Sequence, residues 1–564
     1  MSDDSSSDQL RMIAFIVVTL LIFWAWSHFY KPSTPPQQAP GQTVQQPAPG
    51  QPNALQASSP GTAISAPLNK GAVQAAEEKT IVVESSLFRV ELSNRGGVVR
   101  SWKLKKYLDD QKPPHSLDIV NPDSSRELGW PLSLMLTDQA LESQANWALY
   151  QVAPGLDHFD APATLTFHWS DGHLDVTKTL KFNQDYEMAI DVSAALDGKP
   201  LPVAVAWRGG FGDKAVYQAS QLVSVFYKTN GKLTLLQYKK LGVPGKQDQP
   251  FQQLGPMEFT GIMDQFFTAS FLPDGTDLST WHWMQDHHIT IDDKPATEPE
   301  AEMAAGTALG VPLRMRAYVG PKDLTLLGKV KPPLEELVQF GWTGIIAKPL
   351  FEVLKWVYRY VPNYGWAIII LTIAINTALF PLKMKSWRSM QKMQKVQPEV
   401  RAIQDRYKKY AFNDPRKRKM NEEVMAVYQR EGINPMGSCL PMLFQMPIWW
   451  ALWRVLTGAI ELRHAPWIWW IHDLSARDPY YILPASMAIT MYLMTKMTPQ
   501  TVTDPAQQRM MSLMPLMFGV FFFRLSSGLN LYMFASNLIG VTQQMYLNRT
   551  NPLPSKSKFR KKNE

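Results

Sequence analysis

The chain has 564 residues and a formal net charge of +8, room for a sizeable soluble domain beside a membrane domain, so the parts are read separately. Its one cysteine, Cys439, excludes an intramolecular disulfide and lies outside any C-x-x-C pattern, which leaves cysteine-based metal or redox chemistry without a basis. No G-x-x-x-x-G-K-[ST] phosphate loop occurs, and we expect no catalytic residue, no metal and no cofactor.

The first apolar run, Met12 to Tyr30, carries no charge and is long enough to cross a hydrocarbon core of roughly 30 Å. A cleaved signal peptide is the competing reading. Bulky Trp24, Trp26, Phe29 and Tyr30 end the run where small residues would precede cleavage, and Asp3, Asp4 and Asp8 come before it. Residues 1–31 therefore read as a cytoplasmic tip and an uncleaved anchor. Residues 32–79, rich in Pro, Gln, Ala and Gly, have too few large apolar side chains to offset the entropy of ordering and read as a flexible tether.

From about Thr80 the pattern changes to short alternating segments: Phe88, Val90 and Leu92 among Arg89 and Glu91, or Leu174, Val176 and Leu180 among Asp175, Lys178 and Lys181. Many such strands separated by Gly and Pro predict a β-sandwich over residues 80–325. His158, His168, His173, His287 and His288 with Asp175 keep a membrane-tethered sugar enzyme open as a rival, but no spacing among them marks a site.

Over residues 333–362, Leu334, Leu337, Val338, Trp342, Ile345, Ile346, Leu350 and Leu354 recur at helical spacing beside charged residues, predicting an amphipathic helix at a membrane interface or, alternatively, one capping the β domain. Five further apolar runs follow, Tyr364 to Leu382, Leu440 to Ile460, Tyr480 to Met497, Met510 to Leu525 and Leu529 to Leu547, which makes six spans with the anchor. Some are short, as suits a locally thinned bilayer. The loop from Lys383 to Ser438 holds 14 Lys and Arg against 6 Asp and Glu, and the tail at 549–564 is basic as well; both belong in the cytoplasm. An even number of spans then puts both termini inside and the β domain outside, in the periplasm of a two-membrane bacterium.

Within the basic loop, Met390, Met393, Val396, Val400, Ile403 and Tyr407 repeat at spacings of three and four, and Met420, Val424 and Val427 do so beyond Asp414-Pro415. That predicts two antiparallel helices within residues 383–438, joined at Asn413 to Pro415. Their outer faces carry Lys392, Lys395, Arg401, Arg406, Lys408 and Lys409. Two readings stay open: a solvated face obeying the positive-inside rule, or a contact surface for anionic phospholipids or the ribosome. No aromatic interleaving suggests sequence-specific nucleic-acid binding.

Polar side chains inside spans need a partner, water or a function. Thr372 lies ~12 Å and Asn376 ~18 Å from the outer end of the second span, and Gln445 lies ~7.5 Å from the inner end of the third, with Gln543 and Gln544 approaching the same inner leaflet. They either line a wet pocket or merely hold the bundle together. Arg454 belongs to a groove or to the interface, and Arg524 snorkels outward.

The segments Asn434 to Pro447 (NPMGSCLPMLFQMP), Glu461 to Pro466 (ELRHAP), Trp470 to Pro484 (WIHDLSARDPYYILP), Lys496 to Gln508 (KMTPQTVTDPAQQ) and Ser527 to Tyr532 (SGLNLY) with Ser536-Asn537 resemble the YidC/Oxa/Alb family of membrane protein insertases. Weaker echoes at Gly96-Gly97, Phe259 to Pro273 and Gly320-Pro321-Lys322 reach into the β domain. The resemblance implies a polytopic α-helical inner-membrane protein of six transmembrane helices, five of them an insertase core at 363–548, with a large periplasmic β-supersandwich domain. It further implies nascent membrane-protein clients, delivered alone or through the Sec translocon, and a hydrophilic inner-leaflet groove touched by Thr372, Gln445 and Tyr532. Where the family usually has a groove arginine after T-x-x-x, this chain has Asn376, and we expect Arg454 to replace its charge in part. A small-solute transporter using the same polar cluster is the alternative, although no inverted repeat marks one.

Overall fold

A computed structural model describes residues 71–214, 222–237, 241, 251–291, 294–410, 414–433, 440–498, 510, 514 and 521–550. The expected anchor at 12–30, nearly all of the tether, most of the run at 510–525, Asn413, residues 434–439 and 499–508 of the signature segments, and the basic tail beyond Thr550 lie outside them.

Alternation builds the β domain. In strand Phe88–Ser93 the residues Phe88, Val90 and Leu92 are buried while Arg89 and Glu91 face partly outward. Among the described residues the strands form three sheets, two of five strands and one of ten. One small sheet runs from Ser116–Asp118 through Val98–Leu108, Phe88–Ser93 and Thr80–Glu84 to a parallel edge strand at His158–Asp160. The ten-stranded sheet pairs Leu313–Pro321 between Phe267–Pro273 and Glu187–Leu196, and the third pairs the long strands Ser279–Ile291 and Lys294–Gly306. Trp102 joins all three, with ring centroids 6.2 Å from Phe182 and 6.4 Å from Trp207.

One inward position is not apolar. Lys178 falls in phase with Leu174, Val176 and Leu180 and is fully buried. Its ammonium donates to the carbonyls of Gly96 (3.1 Å), Gly97 (2.8 Å) and Leu132 (2.7 Å). Gly96 and Gly97 have φ of 72° and 57°, a left-handed pair that side chains disfavour, and a Cβ on Gly96 would meet the Asn146 carbonyl at 2.4 Å. Burial pushes the Lys178 ammonium down to about 7.

The amphipathic segment is shorter than its periodicity predicts. Helix α1 spans Gly344–Tyr360, and only single 3-10 turns occupy Glu335–Leu337 and Gly341–Thr343, because Pro332-Pro333 and Gly341 at φ 55° interrupt the run. Ala347, Phe351, Leu354 and Val357 are buried, whereas Ile345, Val353, Trp356 and Tyr360 are exposed, an apolar outer face suited to an interface.

Helix α2, Tyr364–Arg406, is capped by Asn363, whose side chain accepts from the Trp366 amide and donates to the carbonyls of Pro466 and Trp467. It does not end at Leu382 as expected but runs on through Pro381 and Pro398 for 43 residues, about 65 Å. The second span and the first arm of the basic hairpin are thus one rod. Helix α3, Pro415–Arg430, is capped by Asp414 and returns along it. Val396, Val400, Ile403, Val427 and Ile433 form the seam, flanked by Met393, Tyr407, Met420 and Val424.

Helices α4 (Leu440–Gly458), α5 (Ile482–Met497) and α6 (Ser527–Thr550) complete the described bundle. Gly365 admits Trp467, since a Cβ there would lie 2.1 Å from the indole. The loop before α5 seals the start of α6: Ser527 and Gly528 amides donate to the carbonyls of Ala476 and Leu474, and buried Asp478 accepts from Trp470, Tyr480 and Leu483. Among the described residues one helix, α2, is long and apolar enough to cross a membrane by itself, so six spans are not counted here.

Candidate functional site

One turn apart on one face of α2, Thr372 and Asn376 are both fully buried. The Thr372 hydroxyl donates to the Ile368 carbonyl at 2.6 Å, which satisfies it within its own helix. The Asn376 amide donates to the Thr372 carbonyl (2.9 Å) and to Ser536 Oγ on α6 (3.3 Å). Its oxygen accepts from Lys383 Nζ at 2.7 Å, and the same ammonium reaches Gln543 Oε1 at 3.3 Å. Gln543 Nε2 in turn donates to the Asn376 carbonyl at 3.3 Å. On α4, Gln445 Nε2 donates to the hydroxyl of buried Tyr532 on α6 at 3.3 Å.

Three facing helices therefore carry a graded polar wall. Thr372, Asn376 and Tyr532 form its buried floor, while Gln445, Lys383, Ser536 and Gln543 are partly exposed. The Asn376 side chain is fully buried between Lys383 and Ser536, with Gln543 on its backbone carbonyl. Amides, hydroxyls and one ammonium can exchange hydrogen bonds with a guest; none of them is arranged as a nucleophile with its base.

Lys383 is the residue that sequence reasoning missed, having been counted into the basic loop. Its signal was available: seven residues beyond Asn376 is two helical turns, so both share a face and a lysine stem spans the gap. Arg454, left open between groove and interface, does not join this cluster. It is exposed on α4, four residues from the C-terminal end, and lines a different cavity with Thr457, Arg463 and Arg524.

That cavity, about 760 Å³, lies between the β domain, the C-terminal end of α4 and the residues just ahead of α6. Arg463 bonds Asp213 there, His464 bonds Asp110 at 2.8 Å, and Gln265 Nε2 donates to the Thr457 carbonyl at 2.7 Å. Asp264 accepts from the amides of Asp213, Phe266 and Phe267, and buried Lys322 donates to the Asp264 carbonyl at 2.8 Å. Burial pushes the Asp264 carboxyl up despite these donors, and it pushes Lys322 down to about 8. The segments around Phe259 to Pro273 and Gly320 to Lys322 thus serve one junction.

On the hairpin, Lys392, Lys395, Arg401, Arg406, Lys408 and Lys409 are all exposed. Arg406 is paired with Glu423 at 2.7 Å, and Tyr407 donates to the other oxygen of that carboxylate at 2.6 Å. The histidines of the β domain do not converge: His168 meets Asp175, His173 meets Asp197, and His287 and His288 share Glu127. Among the described residues no group of three or more His, Cys, Asp and Glu side chains could hold a metal ion.

Residues 356–555 match the family profile described as 60Kd inner membrane protein, and residues 80–353 match the YidC periplasmic domain. The chain is 31% identical to the membrane protein insertase YidC of Wolinella succinogenes over 97% of this chain and 96% of that one. It is 33% identical to that of Geobacter metallireducens over 96% and 98%. Among solved structures it is similar to an active YidC insertase with its first transmembrane domain resolved (18% identity, 84% and 94% covered, TM-score 0.34). A galactose mutarotase-like protein from Lactobacillus casei matches 43% of this chain and 99% of its own at 11% identity and TM-score 0.29.

Proposed function

The chain belongs to the family of YidC membrane protein insertases, and from that premise we propose that it inserts client helices into the inner membrane by way of the polar wall on α2, α4 and α6. Two or three client charges at mid-bilayer cost roughly 5–10 kcal/mol, or about four to eight powers of ten in crossing rate. Hydrogen-bonding groups in the cytoplasmic half of the bundle lower that barrier for the client's hydrophilic end. The client's apolar segment then partitions into lipid and supplies the drive, with no nucleotide.

The observation that carries this reading is the Lys383–Asn376–Gln543 cluster, in which buried Asn376 on α2 meets the partly exposed polar ends of Lys383 and of Gln543 on α6 inside an apolar bundle. Lys383 lies about 28 Å along α2 from Tyr364, near the inner boundary of a ~30 Å core, with its ammonium drawn back toward Asn376. It supplies the positive charge that Asn376 lacks. Clients with acidic leading segments are the class that this cation favours.

On the same reading both termini and the hairpin are cytoplasmic and the β domain is periplasmic. The hairpin's exposed cations face anionic phospholipid or an approaching ribosome, and clients arrive alone or from the Sec translocon. The transporter alternative finds no support in the relatives, which are named insertases; that suggests a protein that is no enzyme.

The test is a photocrosslinker at Gln445, with a second at the exposed Leu493 as a lipid-facing control. Ribosome-bound nascent membrane proteins are captured several-fold better at Gln445. Equal capture at the two positions removes the polar wall from the mechanism.

A further inference from the structure

The cavity under the β domain is a candidate site of its own. Four carboxylates and five Lys or Arg side chains line it, together with His464. Each acid already has donors: Asp213 has Arg463, Asp110 has His464, Asp264 has three backbone amides, and Asp473 accepts from the Ser475 amide and hydroxyl. Of the cations, Arg463 is used by Asp213 and Lys322 by a carbonyl. Arg454 and Arg524 have no carboxylate partner among the described residues, and both are exposed at the cavity's membrane side. Ser526 Oγ, also in the lining, is buried without a hydrogen-bond partner among them. Two guanidinium forks and a hydroxyl without a partner are a receptor for a phosphate-like anion.

The surroundings say which anion. Arg454 sits about 6 Å from the outer end of α4, where side chains meet the membrane interface. Next to it, Trp453 stacks on Trp450, with centroids 5.9 Å apart, and approaches Phe521 at 6.3 Å. Phe521 and Phe523, just ahead of Arg524 in sequence, are exposed. An aromatic collar beside paired cations is what an interfacial belt offers a lipid, with charge at headgroup level and an apolar wall for the chains. An acidic peptide would find that wall hostile. At about 760 Å³ the cavity is within the range of about 300–1,000 Å³ typical of small-molecule sites.

We propose that the cleft between the β domain and the outer ends of α4 and α6 binds the phosphate headgroup of an outer-leaflet phospholipid through Arg454, Arg524 and Ser526, its chains lying along Trp453 and Phe521. A lipid seated there fills the junction that Arg463–Asp213 and Gln265–Thr457 hold together, and so couples the domain's posture to the bilayer.

The full chain is reconstituted in vesicles of phosphatidylethanolamine and phosphatidylglycerol containing a headgroup-photoreactive phosphatidylglycerol, and labelled peptides are mapped. Labelling is expected on the peptides around 449–465 and 521–526, at least tenfold lower in the double variant Arg454→Gln, Arg524→Gln. The double variant Arg454→Lys, Arg524→Lys, which keeps the charge but not the fork, retains an intermediate yield. Excess inorganic phosphate leaves the wild-type yield in place, because the chains contribute to binding. Unchanged labelling in the glutamine variant overturns the proposal, as does labelling confined to the hairpin at 390–430. Displacement by phosphate alone, or by an acidic peptide, overturns the lipid assignment.

Discussion

Arg463 and Asp213, 250 positions apart in sequence, meet at 2.6 Å with side chains only 4% and 3% exposed. A carboxylate in the segment after strand Val203–Trp207 and a guanidinium in the loop that follows α4 neutralise each other where neither reaches water. Removing one partner of such a pair leaves a buried charge and typically costs about 3–5 kcal/mol, whereas replacing both by apolar groups costs far less. We expect Arg463→Met to loosen the junction, seen as faster hydrogen exchange at 457–465 in the full chain. Adding Asp213→Leu should restore much of the protection. Equal exchange in the wild type and the single variant would show that the junction does not depend on this pair.

Lys383 is the charge at the proposed client site. Lys383→Leu is expected to slow insertion of clients with acidic leading segments by at least tenfold, about 1.4 kcal/mol in barrier, and to spare clients with uncharged ones. Lys383→Arg should keep most of the activity. A reconstituted insertion assay with the two client types reads the difference, with exposed Leu493→Ala as a control. An equal loss for both client types would mean that Lys383 only supports the bundle.

Lys178 is held by three carbonyls and no carboxylate. Burial lowers its pKa from 10.5 to about 7. Between those values the unfolded chain holds a proton that the folded domain has released, so stability rises with pH across that window. Lys178→Met should flatten this rise. It should also cost about 2 kcal/mol or more, since the carbonyls lose their donor. Chemical unfolding of the full chain from pH 7 to 10 decides the matter, and an unaltered slope in the variant would contradict it.

Glu302 shows the opposite sign. Burial raises its carboxyl from 4.5 to about 7, although Arg208, the Gly209 amide and the Trp283 indole pull the other way. Between pH 4.5 and 7 the folded domain keeps a proton that the unfolded chain has lost, so stability declines as pH rises through that range. In Glu302→Gln the decline should disappear, at the expense of one of the two hydrogen bonds. Persistence of the decline would assign it to another group, such as Glu300, which burial also raises.

The sequence by itself determined whatever rests on local repetition and on composition. Period-two alternation placed Phe88, Val90 and Leu92 inside a sheet, and spacings of three and four placed Val396, Val400, Ile403 and Val427 in a hairpin seam; both patterns follow from backbone geometry alone. The ordered motifs from Asn434 to Tyr532 carried the family, and two of them hold described contacts, the Asp478 turn and the seal on Ser527. Only the tertiary structure decided which polar groups meet. Alternation named Lys178 only as a polar residue among apolar ones, and the fold turns the carbonyls of Gly96 and Gly97 toward it; Arg454 stayed open between groove and interface, and the packing of its helix end against the β domain puts it in the second cavity. The length of α2, which makes one rod of a span and a hairpin arm, was equally hidden by the two prolines within it. Pairings across 160 or 250 residues depend on how helices and sheets stack, and stacking sums many weak contacts that no single stretch of sequence records.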